Sequence, residues 1–315
     1  MRRDRYVVIG AGGQLGFDLV RTFELPGEVV GLTRRDLDVL DAARIEEVLG
    51  RLRPTHVLNT AAYNRVDQAE DEPPAAFALN AEAVGALAAA CERLGATLVH
   101  FSTDYVFDGW QTRPYRESDP PNPINVYGAS KLRGEELAHE RCSRCVVFRV
   151  SGLFGVAKSS GKGGTNFVET VLRLAREGRT LRVVADQMLG PSYTLDLARK
   201  IWRVLPARAH ALYHLTNAGQ TSWHDFARRA LELAGCRADL RAVTSAEYGA
   251  RARRPAYSVL AHDHLRALGE DDLRPWNEAL GAYLRERLPS ERGTTHASGP
   301  GGEPPGPAPV STSNP

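Results

Sequence analysis

The feature that most limits what this chain can become lies near its start. An apolar run, YVVIG, meets a glycine-rich turn, GAGGQLG, in which Gly10, Gly13 and Gly16 are spaced three apart. Glycine lets the backbone turn tightly and approach a pyrophosphate, which then rests on the N-terminus of the next helix. A glycine triplet alone is a weak signal. This one follows a strand-like run and opens a helical pattern over 14–24, the context that dinucleotide binding requires, with a plain tight turn as the alternative.

The segments that follow keep the alternation going. Short β-branched runs at 6–10, 28–32, 56–60 and 97–102 read as buried strands, and helical patterns at 42–53 and 74–94 lie between them. A helix from about Val126 leads into a further strand, CVVFRV, at 145–150. Strands alternating with helices predict an α/β fold, a parallel sheet covered on both faces. After Val150 the pattern loosens into SGLFGVAKSSGKGGTN, which reads as a mobile loop. Helical patterns return at 166–177, 194–205, 222–234 and 276–287, with one more strand over 211–217. From Pro289 the Gly/Pro/Ser-rich segment cannot bury a core and is expected to be a disordered tail.

Composition excludes several classes. The formal charge of +2 among 315 residues gives no general reason to expect nucleic acid or an anionic membrane as partner. The basic start, MRRDRYVVIG, has too short an apolar run for a signal peptide, and no stretch approaches the roughly 20 apolar residues of a spanning helix. A cytoplasmic location is expected. Four cysteines are too few for a disulfide framework, and Cys142-x-x-Cys145 lies before an apolar run without the second pair a zinc site needs. His262-Asp-His264 lacks helical ligand spacing, so no metal site is readable.

Two further motifs carry chemistry. The second strand ends in GLTRRDLD, with neutral Thr33 where an NAD-preferring site usually has an acid, then Arg34 and Arg35. Guanidinium groups there suit a 2′-phosphate and hence NADPH. NADH, with the two arginines merely facing solvent, is the alternative. STDYVFDG then brings Ser102, Thr103 and Asp104 to the carboxyl end of a strand, where ligands bind in such sheets. Tyr127-x-x-x-Lys131 places a phenol and an ammonium one turn apart on a helix face. A free phenol, with a pKa near 10, yields its proton poorly at neutral pH. An adjacent ammonium, joined by a nicotinamide charge, is expected to make Tyr127 a better acid, and Lys131 can also hold ribose hydroxyls.

The ordered set GAGGQLG, NTAAYNRVDQAE, STDYVFDG, NPINVYGASKLRGE, FRVSGLFG, NFVETVLRLAREG, DQMLGPS and RRPAYSVL resembles the extended short-chain dehydrogenase/reductases. Within them it resembles the dTDP-4-dehydrorhamnose reductase family, over about 6–288. The resemblance implies a Rossmann-type doubly wound sheet formed by 1–150 and completed around 192–220. A smaller substrate lobe would comprise 151–191 and 221–288, followed by the tail at 289–315. It makes Thr103, Tyr127 and Lys131 the catalytic set. Gly13, Gln14 and Leu15 would contact the pyrophosphate, Asp38 and Val39 the adenine, and Ala62, Tyr63 and Asn64 the cofactor along the sheet edge. Thr103 and Asp104 would face the sugar, with Val66, Tyr105, Asn166, Gln187 and Arg254 as further substrate candidates. The implied activity is reduction of the C4 ketone of a 4-keto-6-deoxy nucleotide sugar, and the resemblance leaves room for Mg2+ and a homodimer.

Two departures fall in the substrate half. The family usually carries Ser-Trp after the FR-x strand, with the tryptophan near the sugar, whereas this chain has Ser151-Gly152. The volume left at Gly152 is expected to be empty unless Leu153 or Phe154 fills it. The family's RP-x-N-S appears as Arg254-Pro255-Ala256-Tyr257-Ser258. Two rival functions follow: a 4-ketoreductase of another nucleotide sugar, and a cofactor-binding regulatory subunit like that of methionine adenosyltransferase. The loop at 158–164 reads equally as a diphosphate contact or a solvated loop.

Overall fold

The computed structural model describes residues 3–157, 165–207 and 211–287, so the expected tail and the loop at 158–164 lie outside the described residues. Six parallel strands form the central sheet: β1 (Arg5–Ile9), β2 (Glu28–Leu32), β3 (His56–Asn59), β4 (Thr97–Thr103), β5 (Cys145–Val150) and β10 (Leu212–His214). Their order is β2-β1-β3-β4-β5-β10. The chain moves outward from β1 to β2, then returns to the other side of β1 to lay down β3. That reversal opens a crevice at the carboxyl ends of β1 and β3, where open α/β sheets bind ligands.

Both faces of the sheet are covered, which is why its central strands read as continuous apolar runs. Side chains alternate between faces along a strand. Val7, Ile9, Val57, Leu98 and Val147 therefore join one core with helices α2 (Ala42–Leu52), α5 (Ala83–Leu94) and α6 (Val126–Arg141). Tyr6, Val8, Leu58, Val99 and Phe148 face α1 (Gln14–Arg21) and α8 (Thr194–Val204). β2 departs from the expectation of a buried strand. It pairs only with β1, and four of its five residues are at least partly exposed, because it is the sheet's edge.

The helical stretch expected over 74–94 is a run from α4 (Pro73–Phe77) through a π-helical turn at Ala78–Glu82 into α5. At 22 residues and a mean hydropathy of 1.4, this run is long and apolar enough to cross a membrane by length and composition, contrary to the sequence expectation. Its alanines instead pack in the fold: Ala76, Ala81, Ala88 and Ala90 are buried.

A second core lies beyond the sheet. It is built by Phe154, Val168, Leu172, Tyr193, Phe226, Leu280 and Tyr283, from α7 (Phe167–Arg176), α9 (Trp223–Leu233), α12 (Trp276–Arg287) and the strands β6 (Leu153–Phe154) and β9 (Ser192–Tyr193). The parallel pair β7 (Leu181–Val184) and β12 (Leu240–Val243) and the antiparallel pair β8 (Met188–Leu189) and β11 (Thr221–Ser222) escaped the sequence reading. Two-residue strands have no period to detect, and β12 is half-exposed throughout. Short helices α3 (Val66–Ala69), α10 (Ser245–Tyr248) and α11 (Asp263–Ala267) complete the described elements. Cys91, Cys142 and Cys145 are buried free thiols of the first core, and burial pushes all three above the usual thiol range.

Candidate active site

A cleft of about 1000 Å³ runs along the carboxyl ends of β1, β3, β4 and β5. At one end lies the glycine turn. Gly10 adopts φ +83°, and a Cβ there would stand 2.6 Å from Thr60 Oγ1 and 3.0 Å from the Ala61 nitrogen. A Cβ on Gly16 would collide with the Gly10 carbonyl oxygen, so only glycine lets α1 approach the turn. Gly13 caps α1 without a side-chain hydrogen bond, leaving backbone N–H groups of the first helical turn for a ligand. Gln14, Leu15 and Gly16 line the cleft beside them. This cradle fits a dinucleotide pyrophosphate.

Beyond β2, Arg34, Arg35, Asp38 and Val39 line the same cleft. Arg34 reaches Asp38 at 3.2 Å but keeps most of its side chain in solvent, so its guanidinium is open to a phosphate. Asp36 accepts from both the nitrogen and hydroxyl of Thr33, which hold its carboxyl below the usual range and fix the turn that presents the arginines. Past β3, Ala62, Tyr63 and Asn64 form the next stretch of wall. Asn80, from the π-helical turn, accepts from the Tyr63 nitrogen and donates to the Tyr63 carbonyl and to Ser130 Oγ, pinning this segment to α6. Asn64 Oδ1 and Ser102 Oγ are buried without a protein partner, and both residues line the cleft. Buried polar atoms of that kind call for a ligand.

The structure brings Thr103, Tyr127 and Lys131 together on one wall. Asn125 Oδ1 caps α6 through the Gly128 nitrogen at 2.7 Å, and its Nδ2 donates to the Arg253 carbonyl. This starts the helix so that Tyr127 and Lys131 face the end of β4. Tyr127 is hydrogen-bonded to Thr103, which donates in turn to Asp104 Oδ1 at 2.9 Å. Lys131 Nζ donates to the Phe101 carbonyl at 2.6 Å and lies 3.2 Å from His100 Nε2.

Electrostatics correct one expectation. Burial pushes the Tyr127 phenol up to about 12, with the Thr103 hydrogen bond only partly opposing it, and pulls Lys131 down to about 8. In the protein alone, without the nicotinamide charge, burial and then the Asp104 carboxylate raise the phenol, and Lys131 is not among the groups that act on it. Spacing can report neither.

Other placements also differ from the sequence reading. Asp104 lines the cleft, but both its oxygens are engaged within the protein: Oδ1 by Thr103, Oδ2 by Ser151 Oγ at 2.8 Å and Ser258 Oγ at 2.6 Å. Asn166 is absent from the cleft wall. It caps α7 and donates to the Gly155 carbonyl and the Tyr283 hydroxyl, so its polar atoms are engaged in the second core. Arg254 is likewise off the wall, bidentate on Asp67 of α3, beside Tyr105. Val66, Tyr105, Gly152 and Gln187 do line it. Gly152 does not face empty space: at φ +53°, its Cβ would meet Leu189 Cδ1 at 2.8 Å. Leu153 lines the cleft, whereas Phe154 is fully buried against Tyr193 and Tyr283 and cannot swing in.

Sequence reasoning missed Met188, Leu189 and Trp223, which line the cleft. Trp223 follows Ser222, a helix cap recognisable from Ser-x-x-Asp, but nothing local says that the indole faces a cleft. The Mg2+ allowed by the resemblance finds no ligand set: among the described residues no group of three or more His, Cys, Asp or Glu is arranged to hold a metal ion.

Comparison with known proteins agrees with this geometry. The family model described as "RmlD substrate binding domain" matches residues 4–288. The chain is 42% identical over 288 residues to a spore coat polysaccharide biosynthesis protein, SpsK, of Bacillus subtilis, covering 90% of this chain and 98% of that one. It is 40% identical over 302 residues to the dTDP-4-dehydrorhamnose reductase of Burkholderia thailandensis, covering 90% and 99%. A crystal structure of dTDP-4-dehydrorhamnose reductase from Bacillus anthracis in complex with NADP superposes with a TM-score of 0.85 at 35% identity, covering 90% of this chain and all of that one. With its doubly wound sheet, its glycine cradle and its Thr-Tyr-Lys wall, this chain belongs to the RmlD substrate-binding-domain family of reductases.

Proposed function

We propose that this protein reduces the C4 ketone of dTDP-4-dehydro-L-rhamnose to give dTDP-L-rhamnose, with NADPH as the preferred cofactor. It is an NAD(P)H-dependent oxidoreductase. One observation carries the reading: the Thr103–Tyr127–Lys131 cluster and the Gly10–Gly16 cradle line a single cleft. Bound along that cleft, the reduced nicotinamide supplies the hydride.

The chain's own residues supply the rest. Tyr127 donates its hydroxyl proton to the ketone oxygen as charge develops there. Thr103 holds the phenol's oxygen in place. Its own proton is fixed on Asp104 and its oxygen also accepts from the Tyr105 nitrogen, so it orients Tyr127 rather than donating to the ketone. Lys131 offers its charge to the phenolate that remains. Arg34 and Arg35, open to solvent at the adenine end, support the choice of NADPH over NADH.

The blocked space at Gly152 favours a second reading, a related 4-ketoreductase acting on another nucleotide sugar. Incubating the protein with NADPH and a panel of 4-keto nucleotide sugars, and following nicotinamide absorbance, tests both. Turnover of the rhamnose precursor supports the first, and turnover of a different sugar alone supports the second. Cofactor binding without turnover of any of them points to a binding subunit.

A further inference from the structure

His100 lies on β4, three residues before Thr103, and its side chain is completely buried. Its ring bridges two elements of the active-site wall. Nε2 lies 3.2 Å from Lys131 Nζ on α6, and Nδ1 lies 3.4 Å from Asn59 Nδ2 on β3, whose Oδ1 accepts from the Ala61 nitrogen. The charged and titratable groups around it are few. From α6 come Lys131, Tyr127, His139 and Glu135, and Glu135 is taken up by Arg149 of β5 through a bidentate pair. The adjoining positions of β4 contribute the Phe101 carbonyl and Asp104 beyond Thr103.

A second proton on this ring would set an imidazolium against an ammonium in a dry interior, and burial already holds His100 well below the usual histidine range. The ring is therefore neutral, and a neutral ring facing an ammonium must turn a lone pair toward it. Asn59 Nδ2 is also a donor, so the two neighbours compete for the ring's single lone pair. The ammonium is charged and nearer, so Nε2 accepts from it and the proton sits on Nδ1, whose 3.4 Å approach to Asn59 Nδ2 is a contact and not a hydrogen bond. An ammonium has three N–H bonds. One goes to the Phe101 carbonyl and one to His100 Nε2, which leaves the third for the cleft that Lys131 lines.

We propose that His100 is a positioning residue for Lys131, a buried acceptor that holds the ammonium by two points on its sheet side and keeps it protonated where burial works against the charge. The proposal rests on the reductase reading for its kinetic consequence, but its structural claim is independent of any substrate. The expected result on the wild-type protein, measured by long-range nitrogen–proton correlation spectra of the imidazoles, is an His100 ring protonated on Nδ1 alone at pH 7. A ring protonated on Nε2, or on both nitrogens, would overturn the proposal without bearing on the reductase assignment. The kinetic arm compares His100→Leu with His100→Gln, whose side-chain oxygen takes the place of Nε2. Loss of the acceptor in His100→Leu moves the alkaline limb of kcat/KM, where Lys131 gives up its proton, to lower pH by about one unit, and His100→Gln restores it. If both variants keep the wild-type limb and differ only in thermal stability, His100 is a packing residue and the proposal is wrong.

Discussion

Ser258 Oγ donates a 2.6 Å hydrogen bond to Asp104 Oδ2, tying the last third of the chain to the turn that follows β4. Ser151 donates to the same oxygen and Thr103 to the other, so three hydroxyls converge on one buried carboxylate. The two serines share Oδ2, and removing one leaves part of that oxygen's hydrogen-bonding capacity unmet inside the protein. Ser258→Ala is therefore expected to lower unfolding free energy by about 1–3 kcal/mol. Denaturant unfolding measures this, and an unchanged midpoint would show that the bond carries no weight.

The Thr103 proton is fixed on Asp104, so Thr103 does not compete with Tyr127 as proton donor to the ketone. Tyr127→Phe should lose kcat by at least the roughly 10²-fold typical of a missing general acid, with NADPH affinity little changed. Steady-state kinetics with a cofactor titration check both halves. Near-normal turnover would remove Tyr127 from the mechanism.

Arg34 and Arg35 line the adenine end, with Arg34 largely in solvent beyond its contact with Asp38. Replacing both by serine is expected to weaken NADPH by roughly 1.5–3 kcal/mol for each charge-assisted bond lost, with NADH nearly unaffected. Fluorescence titrations of the two cofactors decide it, because equal losses for both would contradict contact with the 2′-phosphate.

Lys131 is almost fully buried, and its pKa drops from 10.5 to about 8 mainly through desolvation. Between those values the unfolded chain binds more protons than the folded one, so this group makes stability rise with pH across that window. The cost of holding the charge is full below pH 8 and gone above 10.5. Lys131→Met should thus be more stable than wild type by about 1–3 kcal/mol at neutral pH, after its lost hydrogen bonds, and less so as pH rises. Unfolding of the two proteins at pH 7 and near pH 10 gives the comparison. A gain that does not shrink with pH would mean that charge burial is not its source. Activity should be lost in the variant, which is the usual exchange of stability for function at such sites.

These residues show what a sequence can and cannot disclose. Gly10, Gly13 and Gly16 announce themselves, because the turn needs glycine at fixed spacing after a strand. Tyr127 and Lys131 do so because helical periodicity puts them on one face. The central strands are legible because burial on both faces gives them mostly apolar and β-branched residues, His100, Ser102 and Arg149 apart. The support of the site is another matter. Asp104 meets Ser258 across 154 positions and Ser151 across 47, and His100 meets Lys131 across 31. No local pattern encodes such pairs. Desolvation is equally silent in the sequence, which is why Tyr127 was expected to be a stronger acid and is a weaker one in the protein alone.

The substrate wall gives the last prediction. The volume at position 152 was expected to be empty unless Leu153 or Phe154 filled it, yet Gly152 holds φ +53°, with Leu189 Cδ1 and Pro191 Cα close to where a Cβ would stand. Any larger residue there takes on left-handed strain of roughly 1–2 kcal/mol and must displace Leu189. The aromatic surface comes instead from another element. Ser222 pairs with Met188 in the β8–β11 ladder, and Trp223, the next residue, lines the cleft while its ring packs on Phe167 at 4.7 Å. Trp223→Leu keeps an apolar side chain against Phe167 but removes the flat indole, so KM for the nucleotide sugar should rise by about tenfold, within the worth of an aromatic contact and its buried area. NADPH affinity should stay within about twofold, since an effect confined to the sugar wall leaves cofactor binding alone. Gly152→Trp should raise KM rather than lower it. A lower KM in that variant would show that Leu189 yields easily and that the wall is under-filled after all. An unchanged KM in Trp223→Leu would place the sugar elsewhere in the cleft.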